Sequence, residues 1–222
     1  MMSRYAAVIF DMDGLLLDTE RVVLRGFEAA CDELGCVVGF DVFARMIGRN
    51  YRSSRPILEE ALAGQVAIET FEAVCRRHVQ AIFEDGVPVK SGVIDLLAHL
   101  RKIDMPMAVA TSTETARARE KLKKAELLEA FQHVVGGDQV ERSKPDPDIY
   151  LEAARRLSAN PAASVALEDS ENGVRAAHAA GMTVIQVPDL IQPSDSLRML
   201  GHTIAADVLV GARQVGLLGS DR

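Results

Sequence analysis

The chain is poor in the features that would place it outside ordinary globular enzymes. Of its 222 residues only three are cysteines, Cys31, Cys36 and Cys75, an odd count with no CxxC spacing. They fall within apolar helical patterns and read as buried thiols, and even with His78 added they match no usual zinc spacing. The remaining histidines, His99, His133, His178 and His202, are scattered and read as surface or packing residues. Basic charge is also short: 25 Lys and Arg face 32 Asp and Glu, a net charge of −7. Nucleic acid is therefore excluded as a main partner, since a phosphate backbone rewards basic patches. The one basic run, Arg117 to Lys124, reads as a solvated helix face. No stretch approaches the roughly 20 apolar residues that span a bilayer, so no membrane partner is expected. The N-terminus enters a strand too early for a signal peptide, which points to the cytoplasm. Repeats and low-complexity tracts are lacking, and the length suits one large domain or one domain with an insertion.

What is present is concentrated at the ends of apolar runs. Ala6-Ala7-Val8-Ile9-Phe10 stops at Asp11-Met12-Asp13-Gly14. Such a run reads as a buried strand opening into a loop, the place where parallel α/β sheets hold ligands. Two carboxylates two residues apart in a low-dielectric mouth repel unless a cation lies between them or one keeps a proton. A hard divalent ion such as Mg²⁺ resolves the conflict, and that ion characteristically pairs carboxylates with substrate phosphate.

Three later segments fit a phosphate. Ala108-Val109-Ala110 runs into Thr111-Ser112-Thr113, whose hydroxyls and following helix N-terminus suit anionic oxygens. Ser143-Lys144-Pro145-Asp146-Pro147 sets a cation on a proline-fixed turn before a helix. Val165-Ala166-Leu167 ends in Glu168-Asp169-Ser170, with Asn172-Gly173 opening the next helix, and completes an oxygen-rich shell. Each residue also has a plainer reading. Thr111 suits a cap for a helix beginning near Glu114, Lys144 a solvated lysine, and Glu168 and Asp169 an acidic helix start. Asp18 reads as the cap of a helix beginning near Thr19 and is left out of the chemistry.

Four such segments in order resemble the motifs of the haloacid dehalogenase superfamily, in the branch of β-phosphoglucomutase and its phosphatase relatives with a helical cap. The resemblance lies in Asp11 to Glu20, Thr111 to Thr113, Lys144-Pro145 and Glu168 to Gly173, and it spans nearly the whole chain. It implies that Asp11 is the nucleophile, forming an aspartyl-phosphate, and that Asp13 is the general acid and base. Thr111, Ser112 and Lys144 would bind phosphate. Asp11, Asp169 and the main-chain carbonyl of Asp13 would hold Mg²⁺, with Glu168 beside it or bound through water. True dehalogenases lack the second aspartate, so Asp13 points to phosphoryl transfer.

The pattern predicts an α/β fold, a doubly wound parallel-sheet (Rossmann-like) core over 1–16 and 88–222 with an all-α insert over 17–87. Within the insert Leu24, Phe27, Cys31 and Leu34, then Phe71, Val74, Val79 and Ile82, recur at helical spacing. From residue 91 onward, helices near 94–101, 115–129, 149–157 and 172–180 separate strands near Met107, Val134, Val165 and Thr183. The insert resembles the family's cap, with crossings near 15–19 and 85–91 as a hinge that Gly86, Pro88 and Gly92 would relieve. Arg49 and Arg52 in the loop from Ile47 would face the leaving group of a sugar or polyol phosphate, against a reading as solvated surface. The resemblance favours a Mg²⁺-dependent phosphatase acting on a small-molecule phosphate ester, with a monomer favoured. A mutase is the alternative, weakened by Val23 where mutases carry a histidine and by Glu114 where they carry a basic residue. The alternative of another class is a silent phosphometabolite-binding protein.

Overall fold

A computed structural model describes residues 4–47, 51–84 and 86–219. The chain opens with β1 (Ala7–Phe10), continues through α1 (Thr19–Leu34), α2 (Phe40–Met46), α3 (Tyr51–Leu62) and α4 (Ile68–Glu84), and returns with α5 (Val93–Lys102). There follow β2 (Met107–Ala110), α6 (Thr115–Lys124), β3 (His133–Val135), α7 (Asp148–Arg156), β4 (Ser164–Glu168), α8 (Glu171–Ala179) and β5 (Thr183–Gln186). Two short helices, α9 (Asp195–Arg198) and α10 (Val208–Gln214), flank the two-residue β6 (Thr203–Ile204). The chain divides into two compact units, one of Met1–Leu17 with Val89–Arg222 and one of Asp18–Pro88.

In the first unit all strand pairs are parallel, in the order β3-β2-β1-β4-β5-β6. The central strands are apolar at every position because helices cover both faces; all four residues of β1 and of β2 are buried. Ile9, Ala108 and Ala166 pack with Tyr150, Ala153 and Ala154 of α7 and Val174 and Ala177 of α8. The small side chains on these helices let them lie close to the sheet. Burying Ile9 and Phe10 contributes about 1.5–3 kcal/mol each, and Phe10 meets the edge of Phe131 at 5.8 Å between centroids.

Strands added after β1 build outward on one side and those after β4 on the other. The β1/β4 seam is therefore the topological switch point, where the carboxyl ends of open α/β sheets take ligands. Asp11 and Asp13 leave β1 there, and Glu168 and Asp169 lie at the end of β4.

Two elements depart from the sequence reading. Helix α6 stops at Lys124 rather than near residue 129, because Glu126 takes a left-handed φ of 58° and residues 128–130 form a separate 3-10 turn. Strand β6 went unread, since two residues carry no periodic signal.

The second unit is helical. Phe27 of α1 meets Phe43 of α2 at 5.4 Å and Phe71 of α4 at 5.0 Å, both edge-on. Gly26 lets α1 press against α4, since a Cβ there would run into the side chain of Val79. Asp18 does not cap α1 as its position suggested. Its carboxylate accepts from Arg21 at 2.8 Å and makes no capping bond. All three cysteines are free, and burial pushes the Cys75 thiol up to about 11, which keeps it protonated. Among the described residues no helix is long and apolar enough to cross a membrane.

Candidate active site

Gly14 aims the two aspartates. After Phe10 the chain folds into a tight turn in which Leu16 and Leu17 donate to the Met12 carbonyl and Gly14 donates to Leu17. Gly14 sits at φ 88°, a region open to glycine at no steric cost. Asp11, 7% exposed, continues the sheet by donating its amide to Leu167 of β4 at 2.9 Å. Asp13 projects from the turn and is half-buried.

Lys144 arrives from the loop before α7, across a cis peptide bond to Pro145. Its ammonium spends all three hydrogens: on Asp11 Oδ1 at 2.5 Å, on Glu168 Oε1 at 2.6 Å and on the Ala110 carbonyl at 3.0 Å. Burial works against its charge, but Asp11 and Glu168 outweigh that and hold Lys144 above the usual lysine range. For Asp11 the balance goes the other way. Burial, with Glu168 and Asp13 adding to it, pushes the carboxyl up to about 8 against the opposing pull of Lys144.

The buried carboxylates of Asp11, Glu168 and Asp169 offer oxygens that all lie within 4.8 Å of one another. Clustered carboxylate oxygens at this spacing match a divalent cation in oxygen chemistry, and the charge of such an ion would favour the ionised form of Asp11 that burial opposes.

Glu168 is the least available of the three as a ligand. Its Oε1 accepts from Lys144 and from Tyr150, each at 2.6 Å, and its Oε2 from the amides of Asp169 and Ser170 and the Ser170 hydroxyl at 3.1–3.2 Å. Such a carboxylate fixes Lys144 and the turn beyond β4. Gly173 makes room for it, because a Cβ there would overlap the Glu168 carboxylate.

The turn after β2 forms the third side. Thr111 is buried, and its hydroxyl accepts from the Thr113 amide at 3.1 Å rather than capping α6. The start of α6 is held instead by Asp138, which follows β3 and accepts from both the amide and the hydroxyl of Thr115 at 2.7 Å. Ser112 is exposed at the crest of this turn. Arg52 is exposed on α3, and Arg49 lies outside the described residues.

The sequence reading missed two partners of Asp13. Thr113 donates its hydroxyl to Asp13 Oδ2 at 2.7 Å, and Lys121 donates to Asp13 Oδ1 at 2.7 Å. Lys121 therefore does not belong to a solvated face. The signal was geometric: side chains on a helix lean toward its N-terminus, and α6 begins beside the site. Tyr150 was likewise unread, its ring being part of the core and its hydroxyl on Glu168.

The sequence profile of the haloacid dehalogenase-like hydrolases matches residues 8–187. The phosphorylated carbohydrates phosphatase of Thermotoga maritima is 36% identical over 176 residues, covering 79% of this chain and 82% of its own. The fructose-1-phosphate phosphatase of Escherichia coli is 34% identical, covering 84% of this chain and 98% of its own. A crystal structure of a haloacid dehalogenase family hydrolase from Deinococcus radiodurans, with bound phosphate and sodium, superposes with a TM-score of 0.79 at 27% identity, over 98% of this chain and 99% of that one.

Proposed function

Because the chain belongs to the haloacid dehalogenase-like hydrolase family, we propose that it is a Mg²⁺-dependent phosphatase hydrolysing a small sugar or polyol phosphate through an aspartyl-phosphate on Asp11. The observation that carries this reading is a buried carboxylate at the sheet switch point, held by Lys144 beside two further acids. The relatives whose names state phosphatase activity on phosphorylated carbohydrates and fructose 1-phosphate support the substrate class.

Asp11 attacks phosphorus in line, forming an oxygen–phosphorus bond as the ester bond breaks, and so splits one hard displacement into two easier ones. Lys144 fixes the attacking carboxylate and offers positive charge beside the equatorial oxygens. Thr111 and Ser112, with the amides of their turn, bind those oxygens. Asp13 gives its proton to the leaving oxygen and then takes one from the water that releases phosphate from Asp11. Asp11, Asp169 and the main-chain carbonyl of Asp13 would hold the metal, with Glu168 outside the ligand set because its oxygens already serve five donors. When bound, the ion supplies charge neutralisation for the phosphoryl oxygens.

Phosphate release from a panel of sugar and polyol phosphates with Mg²⁺, run beside the Asp11→Asn variant, tests the reading. Release by the unmodified chain and none by the variant is the expected result. Equal rates in both would overturn it, and interconversion of hexose phosphates faster than release would make the enzyme a mutase.

A further inference from the structure

We infer that Lys121 is a positioning residue that decides which oxygen of Asp13 carries the transferred proton; this rests on the reading of Asp13 as general acid and base. Both carboxylate oxygens are engaged, Oδ1 by the Lys121 ammonium and Oδ2 by the Thr113 hydroxyl, each at 2.7 Å. The two partners differ in kind. An ammonium has three donors and no acceptor, so the oxygen facing Lys121 must accept in either protonation state. A hydroxyl both donates and accepts, so Thr113 can donate to ionised Oδ2 and turn to accept from protonated Oδ2. The proton is thereby assigned to Oδ2, on the Thr113 side.

The arrangement is built rather than incidental. Lys121 stands two turns inside α6, and its side chain and that of Asp13 are 26% and 21% exposed. The start of that helix is pinned by the double bond from Thr115 to Asp138, and Gly136 is required there because a Cβ would strike the Thr115 amide. Asp138 and Gly136 hold the start of α6, and Lys121 and Thr113 hold the two oxygens of the Asp13 carboxylate.

In the first step the Asp11 oxygen bonds to phosphorus, the ester P–O pair passes to the leaving oxygen, and that oxygen takes the proton from Asp13 Oδ2 to become an alcohol. In the second, water adds to phosphorus, its proton passes to Oδ2, and Asp11 leaves as a carboxylate. Only the first depends on the basicity of the leaving group. A misplaced Asp13 therefore penalises poor leaving groups most.

The test compares kcat/KM for para-nitrophenyl phosphate, whose phenolate leaves without help, with that for phenyl phosphate, in the unmodified chain and in Lys121→Met, Lys121→Arg and Asp13→Asn. Lys121→Met is expected to lose about tenfold more on phenyl phosphate than on the nitrophenyl ester, a fraction of the full general-acid effect. Lys121→Arg, which keeps a donor facing Oδ1, recovers most of that loss, and Asp13→Asn shows the larger discrimination. Equal losses on both esters in Lys121→Met, with discrimination in Asp13→Asn, would overturn the role of Lys121 alone. Equal losses in Asp13→Asn, or no turnover by the unmodified chain, would overturn the underlying reading as well.

Discussion

The side-chain amide of Gln186 donates to the main-chain carbonyl of Asp169 at 3.1 Å, and the ring of His202 lies 2.9 Å from its amide oxygen. A carbonyl only accepts, so the Gln186 NH₂ must face Asp169 and its oxygen must face His202, which therefore presents Nε2–H. The other ring nitrogen, Nδ1, is buried without a hydrogen-bond partner. Protonating His202 would bury an N–H with nothing to accept it. Burial, with His178 and Arg198 adding to it, holds His202 below the usual 6.5. As pH falls through 6.5 the unfolded chain takes up a proton that the folded chain refuses, so this group lowers stability progressively below that point. Urea unfolding from pH 7 to pH 5 is expected to show that decline, and a flatter one for His202→Asn.

Gln186→Met keeps the volume and removes both bonds of this brace. It takes the Gln186 donor away from the Asp169 carbonyl, at about 1–3 kcal/mol, and loosens the peptide that carries a proposed metal ligand. Denaturant midpoints are expected to fall by that amount, with the Mg²⁺ concentration for half-maximal activity rising. An unchanged Mg²⁺ requirement would reduce Gln186 to packing.

Lys144 bridges two of the three buried acids, Asp11 and Glu168. Lys144→Met leaves Asp11 and Glu168 without it, and removing one partner of a buried pair costs about 3–5 kcal/mol. Turnover is expected to fall by about 10²-fold or more, the scale of losing one electrostatic stabiliser of the transition state. Thermal unfolding and phosphate release measured on the same preparation separate the two losses.

Divalent metal is expected to stabilise the fold by binding at the cluster of Asp11, Glu168 and Asp169. At 100 times its dissociation constant a ligand adds about 2.7 kcal/mol, and at about 2–4 °C per kcal/mol for a chain of this size Tm rises by about 5–11 °C. Chelator removes the increment. Asp169→Asn is expected to show almost none of it, while Ser112→Ala shifts with Mg²⁺ as the unmodified chain does.

Gly173→Ala tests the room reserved for Glu168. A methyl group there forces the carboxylate aside and with it the Lys144 and Tyr150 bonds, an overpacking cost of about 1–3 kcal/mol. Activity is expected to fall more steeply than Tm, since Lys144 loses its second anchor. Normal turnover in this variant would show that the carboxylate relocates without disturbing Lys144.

The sequence by itself determined the parallel sheet, the helical insert and the identity of the acids and the lysine at the strand ends. Those features are local. Short, fully apolar runs such as Ala7–Phe10, bounded by polar residues and a glycine, read as doubly covered strands, and the polar residues that break them mark the carboxyl ends. Only the tertiary structure decided how the groups share their bonds. Glu168 reads as one more ligand until Tyr150, 18 residues back in the chain, and two amides are seen on its oxygens. Lys121 reads as surface until α6 docks with its N-terminus beside Asp13, 108 residues away. Gln186 and His202 carry no motif at all. Hydrogen-bond allocation is set by distances between remote segments, and a linear pattern holds no record of which donor reaches an oxygen first.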